Sequence, residues 1–119
     1  MATKIERSNV TIANGAATSG AVTVPLDKTP LAVIVPSVMT GTTLKFEVSD
    51  DGATYRKLYS GATEYSVAIS ASESRHVVLD VNAFRSVIGG PTTTPTAVRI
   101  VSSSNEGAAR TLQLVFGIS

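Results

Sequence analysis

The first candidate for chemistry in this sequence is its one histidine, His76. A histidine acts as general base for a serine nucleophile when an acidic side chain orients it. The chain is rich in serine, however, and no serine stands out at an informative spacing from His76. A solitary histidine beside a strand is more often structural or solvated than catalytic. We therefore predict no catalytic residues and no enzyme activity.

Carboxylates give the second candidate chemistry, at Asp50 and Asp51. Their oxygens suit Ca²⁺, but Ca²⁺ takes about six to eight oxygen ligands, and the chain lacks the DxDxDG spacing of a calcium loop. Gly52 follows them, and Asp-Gly is a common hairpin turn because glycine adopts a positive φ without strain. A turn is therefore the favoured interpretation, and no metal site is predicted.

The nine acidic residues include no pair that the sequence identifies as the two carboxylates of a glycosidase. The phosphate-binding patterns GxGxxG and GxxxxGK[ST] are both missing. One glycine pair, Gly89-Gly90, is followed by Pro91, and the missing N–H of proline makes this a poor phosphate cradle. We predict no cofactor.

Three tyrosines, Tyr55, Tyr59 and Tyr65, lie close together in the sequence, with Arg56 and Lys57 between them. Tyrosine and arginine are enriched at protein interfaces, where aromatic rings offer a large contact area. Packing within a hairpin is the plainer interpretation and the favoured one. Contact with a protein or a sugar is the alternative, and for it we keep Tyr55, Arg56 and Tyr59 as candidates.

These residues belong to the clearest structural pattern of the chain, a β-hairpin. Leu44, Phe46 and Val48 alternate with polar residues, and a period of two is typical of a half-buried strand. The Asp-Gly turn follows this strand, and residues 55–59 are predicted to return antiparallel to it.

Short apolar or alternating runs bounded by turn residues predict further strands. They cover residues 4–12, 21–24, 31–36, 65–69, 75–79, 97–102 and 111–118. Residues 31–36 are expected to be central in their sheet or covered on both faces. A short helical turn is predicted over residues 80–87, capped by Asp80 or Asn82 and held to the core by Phe84. Residues 88–95 form a predicted Gly/Pro/Thr loop, and the run SSSNEGAA a polar hairpin loop.

About eight or nine short strands without a long helix predict an all-β fold, a two-sheet antiparallel β-sandwich of jelly-roll type. The 119 residues are expected to form a single domain, with residues 1–8 as an extended N-terminal arm. A hydrophobic share of 43% and a charged share of 16% distinguish the chain from disordered sequences.

The charges are balanced and scattered, with a net charge of +1. Nucleic-acid-binding proteins carry a basic patch, so no nucleic-acid partner is predicted. The chain has no cysteine, which excludes disulfides and fits synthesis in a reducing cytosol. Residues 1–10 lack the apolar core of a secretory signal, and residues 31–35, the longest apolar run, are too few to cross a bilayer. We therefore predict no membrane partner.

Several segments resemble, in order, those of small jelly-roll proteins of tailed bacteriophages. They are VTIANGAATSGAV, LAVIVP, FEVSDDGATYRKLY, HVVLDVNAF, AVRIVSS and LQLVFGIS. This resemblance implies a virion protein: a capsid decoration (cement) protein, or the head-proximal part of a fibre. It also implies synthesis in the host cytoplasm, a place on the capsid surface, and the major capsid protein as partner. FEVSDDGATYRKLY is also similar to galactose-binding-like domains, which implies instead a module for host-surface glycans, although the loop aromatics and metal carboxylates of that group have no counterpart here.

A cement role requires a rigid core, an adhesive arm or loop, and many copies whose weak contacts add up. Residues 2–8 and the loop at residues 88–95 fit this requirement, and the loop departs from the phage proteins as an insertion. The partner-contact candidates that these segments add are Lys4, Ile5, Arg7, Ile88, Pro91 and Thr93. Exposed strand edges also favour a homo-oligomer, a dimer or a trimer.

Overall fold

A computed structural model of the chain describes residues 5–24, 28–50, 52–69, 73–87 and 96–117. These residues form eleven strands and one 3-10 helix. The strands are β1 Glu6–Ile12, β2 Val22–Thr23, β3 Thr29–Val35, β4 Thr43–Ser49, β5 Arg56–Lys57, β6 Tyr59–Ser60, β7 Thr63–Glu64, β8 Ser66–Ala68, β9 Arg75–Val78, β10 Ala97–Ser102 and β11 Arg110–Gly117, and the helix is Val81–Val87.

The strands build two antiparallel sheets that enclose one core. Sheet A has the order β1-β11-β3-β9, and sheet B has the order β2-β10-β4, with β5 and β8 both paired to β4. The chain alternates between the sheets through β1, β2, β3 and β4, and again through β9, β10 and β11. Strands β6 and β7 form a separate two-stranded ribbon. The predicted all-β sandwich is confirmed.

Alternation along the strands places the core between the two sheets. In β11, Leu112, Leu114 and Phe116 are fully buried, and in β4 so are Leu44 and Phe46. Removing such side chains from water stabilises the fold by roughly 1.5–3 kcal/mol each. The predicted central strand is β3, which lies between β11 and β9.

The predicted hairpin forms with a longer loop and a shorter return strand. Strand β5 runs antiparallel to β4 with Val48 opposite Arg56, and the connection between the two strands covers residues 50–55 and is not a two-residue turn. Gly52 has φ 75°, the positive value expected for it. The Leu58 N–H still donates to the Phe46 carbonyl of β4 at 3.0 Å, and β6 then pairs with β7 instead of β4. The prediction of one continuous strand over residues 55–59 is therefore wrong at its end, at Tyr59.

The N-terminal strand begins earlier than an arm over residues 1–8 would allow. Strand β1 pairs with β11 along its whole length, from Glu6 opposite Phe116 to Ile12 opposite Arg110. Residues 6–8 are thus part of sheet A. Among the described strands β1 has a neighbour on one side only, β11, which makes it an edge strand of sheet A as described.

The SSSNEGAA loop does not close a hairpin, and this prediction is wrong. It connects β10 in sheet B with β11 in sheet A. A period of two indicates which face of a strand is buried, but not which strand lies beside it. The loop therefore crosses one end of the sandwich, which brings Glu106 over the edge of the core.

The predicted helical turn is confirmed as the 3-10 helix that follows β9. A carboxylate oxygen of Asp80 accepts the N–H of Asn82 at 3.0 Å, and the Asp80 carbonyl accepts the N–H of Ala83 at 3.0 Å. Phe84 is fully buried. Asp80 is thus the capping residue, and Phe84 holds the helix to the core.

Candidate functional site

Strand direction defines two ends of the sandwich. We call the end at which β1, β3 and β10 begin and β4 ends the N-terminal end. At the opposite end, which we call the Glu106 end, lie the loops of residues 13–17, 36–42 and 103–109. The two ends differ in how their backbone is held.

Contact candidates from the start of β1 and from the connection between β4 and β5 lie toward the N-terminal end of the sandwich. Arg7 is exposed near the start of β1, and Ile5, just before it, is 42% exposed. Tyr55 ends the connection that follows β4. Strand β10 also begins there, after residues 88–95. Four of the predicted candidates lie outside the described residues: Lys4, Ile88, Pro91 and Thr93.

Tyr55 is occupied by contacts within the protein. The Arg99 guanidinium lies 3.9 Å from the centre of the Tyr55 ring, and its Nη2 atom is 2.7 Å from Oε1 of Glu47. A cation–π contact of this kind contributes about 0.5–1 kcal/mol at an exposed site. These three side chains form a row on the outer face of sheet B, which favours hairpin packing for Tyr55. Arg56, next in the chain, is exposed.

Tyr65 belongs to an aromatic triad with Phe46 and Phe84. Its ring centre lies 5.8 Å from that of Phe46 and 5.7 Å from that of Phe84, in the second case nearly edge to face at 87°. Phe46 and Phe84 are themselves 5.2 Å apart. Such pairs add about 0.5–1.5 kcal/mol beyond the burial of area. The triad connects β4 with the 3-10 helix.

Tyr59 is the tyrosine that faces solvent, with 53% of its surface exposed. It lines an open cleft of about 440 Å³ between the β6–β7 ribbon and the start of the 3-10 helix. The described lining residues are Leu58, Tyr59, Ser60, Gly61, Asp80, Asn82 and Ala83. The three tyrosines are therefore not one cluster: Tyr55 packs on the outer face of sheet B, Tyr65 is partly buried against the core, and Tyr59 lies at a cleft.

A second cleft, of about 310 Å³, lies on the outer face of sheet B. Its described lining includes two lysines and two glutamates, so the charges of the cleft balance. Lys45 Nζ lies 3.3 Å from Oε1 of Glu64, and Glu47 is paired with Arg99, which lies outside the lining. Nothing in this balanced lining selects a ligand.

The most distinctive polar cluster is built around Glu106, which sequence reasoning did not single out. Its carboxylate is buried and accepts four hydrogen bonds. Oε1 accepts the Thr40 N–H at 2.8 Å and Arg110 Nε–H at 3.0 Å, and Oε2 accepts the Gly41 N–H at 2.9 Å and the Ser102 hydroxyl at 2.7 Å. Donors of this kind satisfy a buried carboxylate.

The Glu106 backbone extends the same cluster to a third loop. Its carbonyl accepts the Gly15 N–H at 2.8 Å, and its N–H donates to the Ala16 carbonyl at 2.8 Å. Glu106 thus connects all three loops of the Glu106 end. The one local signal for this in the sequence is Arg110 four residues later, which also occurs in solvated pairs, so it would not have identified the cluster.

Hydrogen bonding controls the charge of Glu106. Burial raises the pKa of its carboxyl group, while the Thr40 N–H, the Ser102 hydroxyl, the Gly41 N–H and Arg110 together lower it further than burial raises it. The net result is a pKa of about 2, below the usual 4.5. Glu106 is therefore ionised at neutral pH, and the cluster is a structural connection between loops.

The remaining candidates for chemistry show no assembled site in the part of the chain that the structure describes. His76 is exposed on β9, opposite Ile34. Asp50 is exposed, and Asp51 lies outside the described residues. Among the described residues, no group of three or more His, Cys, Asp or Glu side chains is placed to hold a metal ion. No described helix is long and apolar enough to span a bilayer.

Comparison with known proteins gives no family assignment: no protein-family model matches the chain, and no curated protein matches it.

Proposed function

We propose that this protein is a structural virion component, a capsid decoration (cement) protein of a tailed bacteriophage. In this role it binds the major capsid protein on the outer surface of the head, and no catalysis is involved. The proposal includes a jelly-roll topology and a homo-oligomer, a dimer or a trimer, on the capsid surface. A protein with this role is made in the host cytoplasm and assembled onto the head.

The strand order supports the jelly-roll topology. When β5 and β8 are taken together as one position beside β4, the chain has eight strand positions. In that count sheet A has the order 1-8-3-6 and sheet B the order 2-7-4-5. The proposed jelly roll, two Greek keys wound into two sheets as in viral capsid proteins, would have strands in this order.

The start of β1 is the observation that carries the contact proposal. Ile5 is an apolar side chain with 42% of its surface exposed, immediately before an edge strand that is paired with β11 from its first residue. Contact residues that lead from a fixed strand lose little conformational freedom on binding. Arg7 adds an exposed positive charge on the same strand. The contact with the capsid therefore begins at Ile5 and includes the residues before it.

The edges of sheet A support the oligomer. In the part of the chain that the structure describes, β1 and β9 each have one neighbour in sheet A, so their outer backbone groups face away from the sheet. Edge strands pair readily with other chains unless they are protected. On β9, the apolar side chain of Val78 is 80% exposed, which does not protect this edge.

The test uses phage heads that lack the protein. The purified protein is added, bound copies are counted, and the melting temperature of the heads is measured. We expect the protein to bind and to raise this temperature. A deletion of residues 2–5 leaves β1 intact, and it should abolish binding, as should Ile5→Asp. Shortening residues 88–95 should weaken binding.

Val38→Asp is the matched control, because Val38 is 60% exposed at the Glu106 end. It introduces the same charge far from the proposed contact and should bind like the unchanged protein. Each free variant is first melted alone to show that it folds. If the unchanged protein leaves the heads unaffected, the cement role is refuted. If it binds and the deletion binds equally well, the contact assignment is wrong.

A further inference from the structure

Two structural elements form the walls of the cleft at Tyr59. One wall is the β6–β7 ribbon, where Tyr59 pairs with Glu64 and a tight turn follows, with Gly61 at φ 66°. The other wall is the capped start of the 3-10 helix, with Asp80 and Asn82 exposed. Each wall is held by its own hydrogen bonds.

Tyr65 fixes the two walls relative to each other. Its backbone N–H donates to the Leu58 carbonyl at 2.9 Å, next to Tyr59, and its hydroxyl accepts the Asp80 N–H at 2.9 Å. The Tyr65 ring is packed in the aromatic triad with Phe46 and Phe84. The cleft is therefore preorganised, and a ligand would not have to order it on binding.

The lining of the cleft combines an aromatic group with short polar side chains. Tyr59 supplies the aromatic surface, and Asp80, Asn82 and Ser60 supply carboxylate, amide and hydroxyl groups. A volume of about 440 Å³ lies within the range of small-molecule sites. A sugar ring has the matching chemistry, since its C–H face is apolar and its hydroxyl edge both donates and accepts hydrogen bonds. A purely apolar ligand would make no hydrogen bonds with these polar side chains.

We propose that this cleft binds a pyranose unit of a neutral saccharide, with the sugar ring against Tyr59 and its hydroxyl groups toward Asp80 and Asn82. The described lining residues include one carboxylate and no lysine or arginine. An acidic sugar would place its charge near Asp80 without compensation, so a neutral sugar is selected. The proposal goes beyond the capsid role and does not depend on it.

The test begins with the full-length protein on a glycan array that carries both neutral and sialylated or uronic-acid glycans. Hits are confirmed in solution with the matching methyl glycosides by ligand-observed NMR. We expect binding to neutral glycans. Tyr59→Ala should lower the affinity about tenfold or more, as loss of a central aromatic contact does. Tyr59→Phe keeps the ring and should stay close to the unchanged protein.

Tyr55→Ala is the matched control, because Tyr55 packs on Arg99 on the outer face of sheet B. It should leave saccharide binding unchanged. Asp80→Asn keeps an acceptor for the helix cap and should weaken neutral-sugar binding. The proposal is refuted by an array without hits, by a preference for acidic glycans, or by hits that survive Tyr59→Ala. If Tyr59→Ala instead lowers binding to phage heads, the cleft is a protein contact and the saccharide proposal fails while the cement role stands.

Discussion

The substitution Glu106→Gln tests the most specific energetic claim of the structure. The pKa of Glu106 falls from 4.5 to about 2 on folding, and at about 1.4 kcal/mol per pH unit this corresponds to about 3 kcal/mol of stability. The glutamine side chain would also turn an N–H₂ group toward groups that now donate hydrogen bonds to the Glu106 carboxylate. We therefore expect the substitution to lower the free energy of unfolding by about 3 kcal/mol at pH 7 and the Tm by roughly 10 °C.

The pH dependence gives this prediction its sign. Because the pKa is lower in the folded protein, the folded state binds this proton more weakly than the unfolded state does. The stabilisation is therefore complete above about pH 4.5 and disappears as the pH falls toward 2. Urea unfolding followed by circular dichroism at pH 7, 5, 4 and 3 measures it. The difference in the free energy of unfolding between the unchanged protein and Glu106→Gln should stay constant down to about pH 5 and then become smaller.

Glu6→Gln is the control, since the Glu6 side chain is 39% exposed and lies 3.8 Å from Lys28 Nζ. The Lys28 side chain is 13% exposed, so the pair is partly exposed, and at 3.8 Å we expect it to contribute about 1 kcal/mol or less. The reasoning is refuted if Glu106→Gln is as stable as the unchanged protein at pH 7. It is equally refuted if the difference between the two does not narrow in acid.

Two further substitutions test the packing around the sites. Gly41→Ala would place its Cβ against the Ser102 hydroxyl and the Ser103 backbone, so we expect thermal melting to show a loss of stability of at least about 1 kcal/mol. Gly20→Ala is the control, because the space around Gly20 is open, and it should change stability little. Equal losses for the two substitutions would contradict the close approach at Gly41. Phe84→Ala removes a fully buried member of the aromatic triad, and urea unfolding should show that the free energy of unfolding falls by about 3–5 kcal/mol. Val78→Ala is the control at an exposed position. A loss below about 1 kcal/mol for Phe84→Ala would contradict the place of Phe84 in the core.

Local patterns predicted the local structure well. The alternation of Leu44 and Phe46 identified β4, and the apolar run at residues 31–36 identified the central strand. The cap at Asp80 and the burial of Phe84 were also predictable, because a capping side chain and its helix are neighbours in the sequence. These features depend on residues a few positions apart.

Features that depend on distant partners were not predictable. The strands β10 and β11 looked like a hairpin because they are consecutive, yet they belong to different sheets. The buried state of Glu106 depends on donors at Thr40 and Gly41, more than 60 positions earlier in the chain. An acidic residue in a Ser/Asn/Gly loop has the same sequence appearance whether it is solvated or buried. The separation of the tyrosines likewise depends on the chain leaving β4 after Leu58, where β6 pairs with β7 instead.

The two ends of the sandwich are held by different physical means, and this affects where binding is expected. Without cysteine, no disulfide can connect the loops of the Glu106 end, and one ionised carboxylate does so instead. Substitutions in this cluster are poorly tolerated, because the loss of a hydrogen-bond donor to Glu106 would leave a buried charge without compensation. A binding partner that took over one of these donors would have the same effect. At the N-terminal end, full pairing of β1 with β11 fixes the backbone through main-chain bonds, so the side chains of Ile5 and Arg7 can vary without loss of that pairing. Substitutions at Ile5 or Arg7 are therefore expected to disturb the fold less than substitutions in the Glu106 cluster, as the proposed capsid contact at the N-terminal end requires.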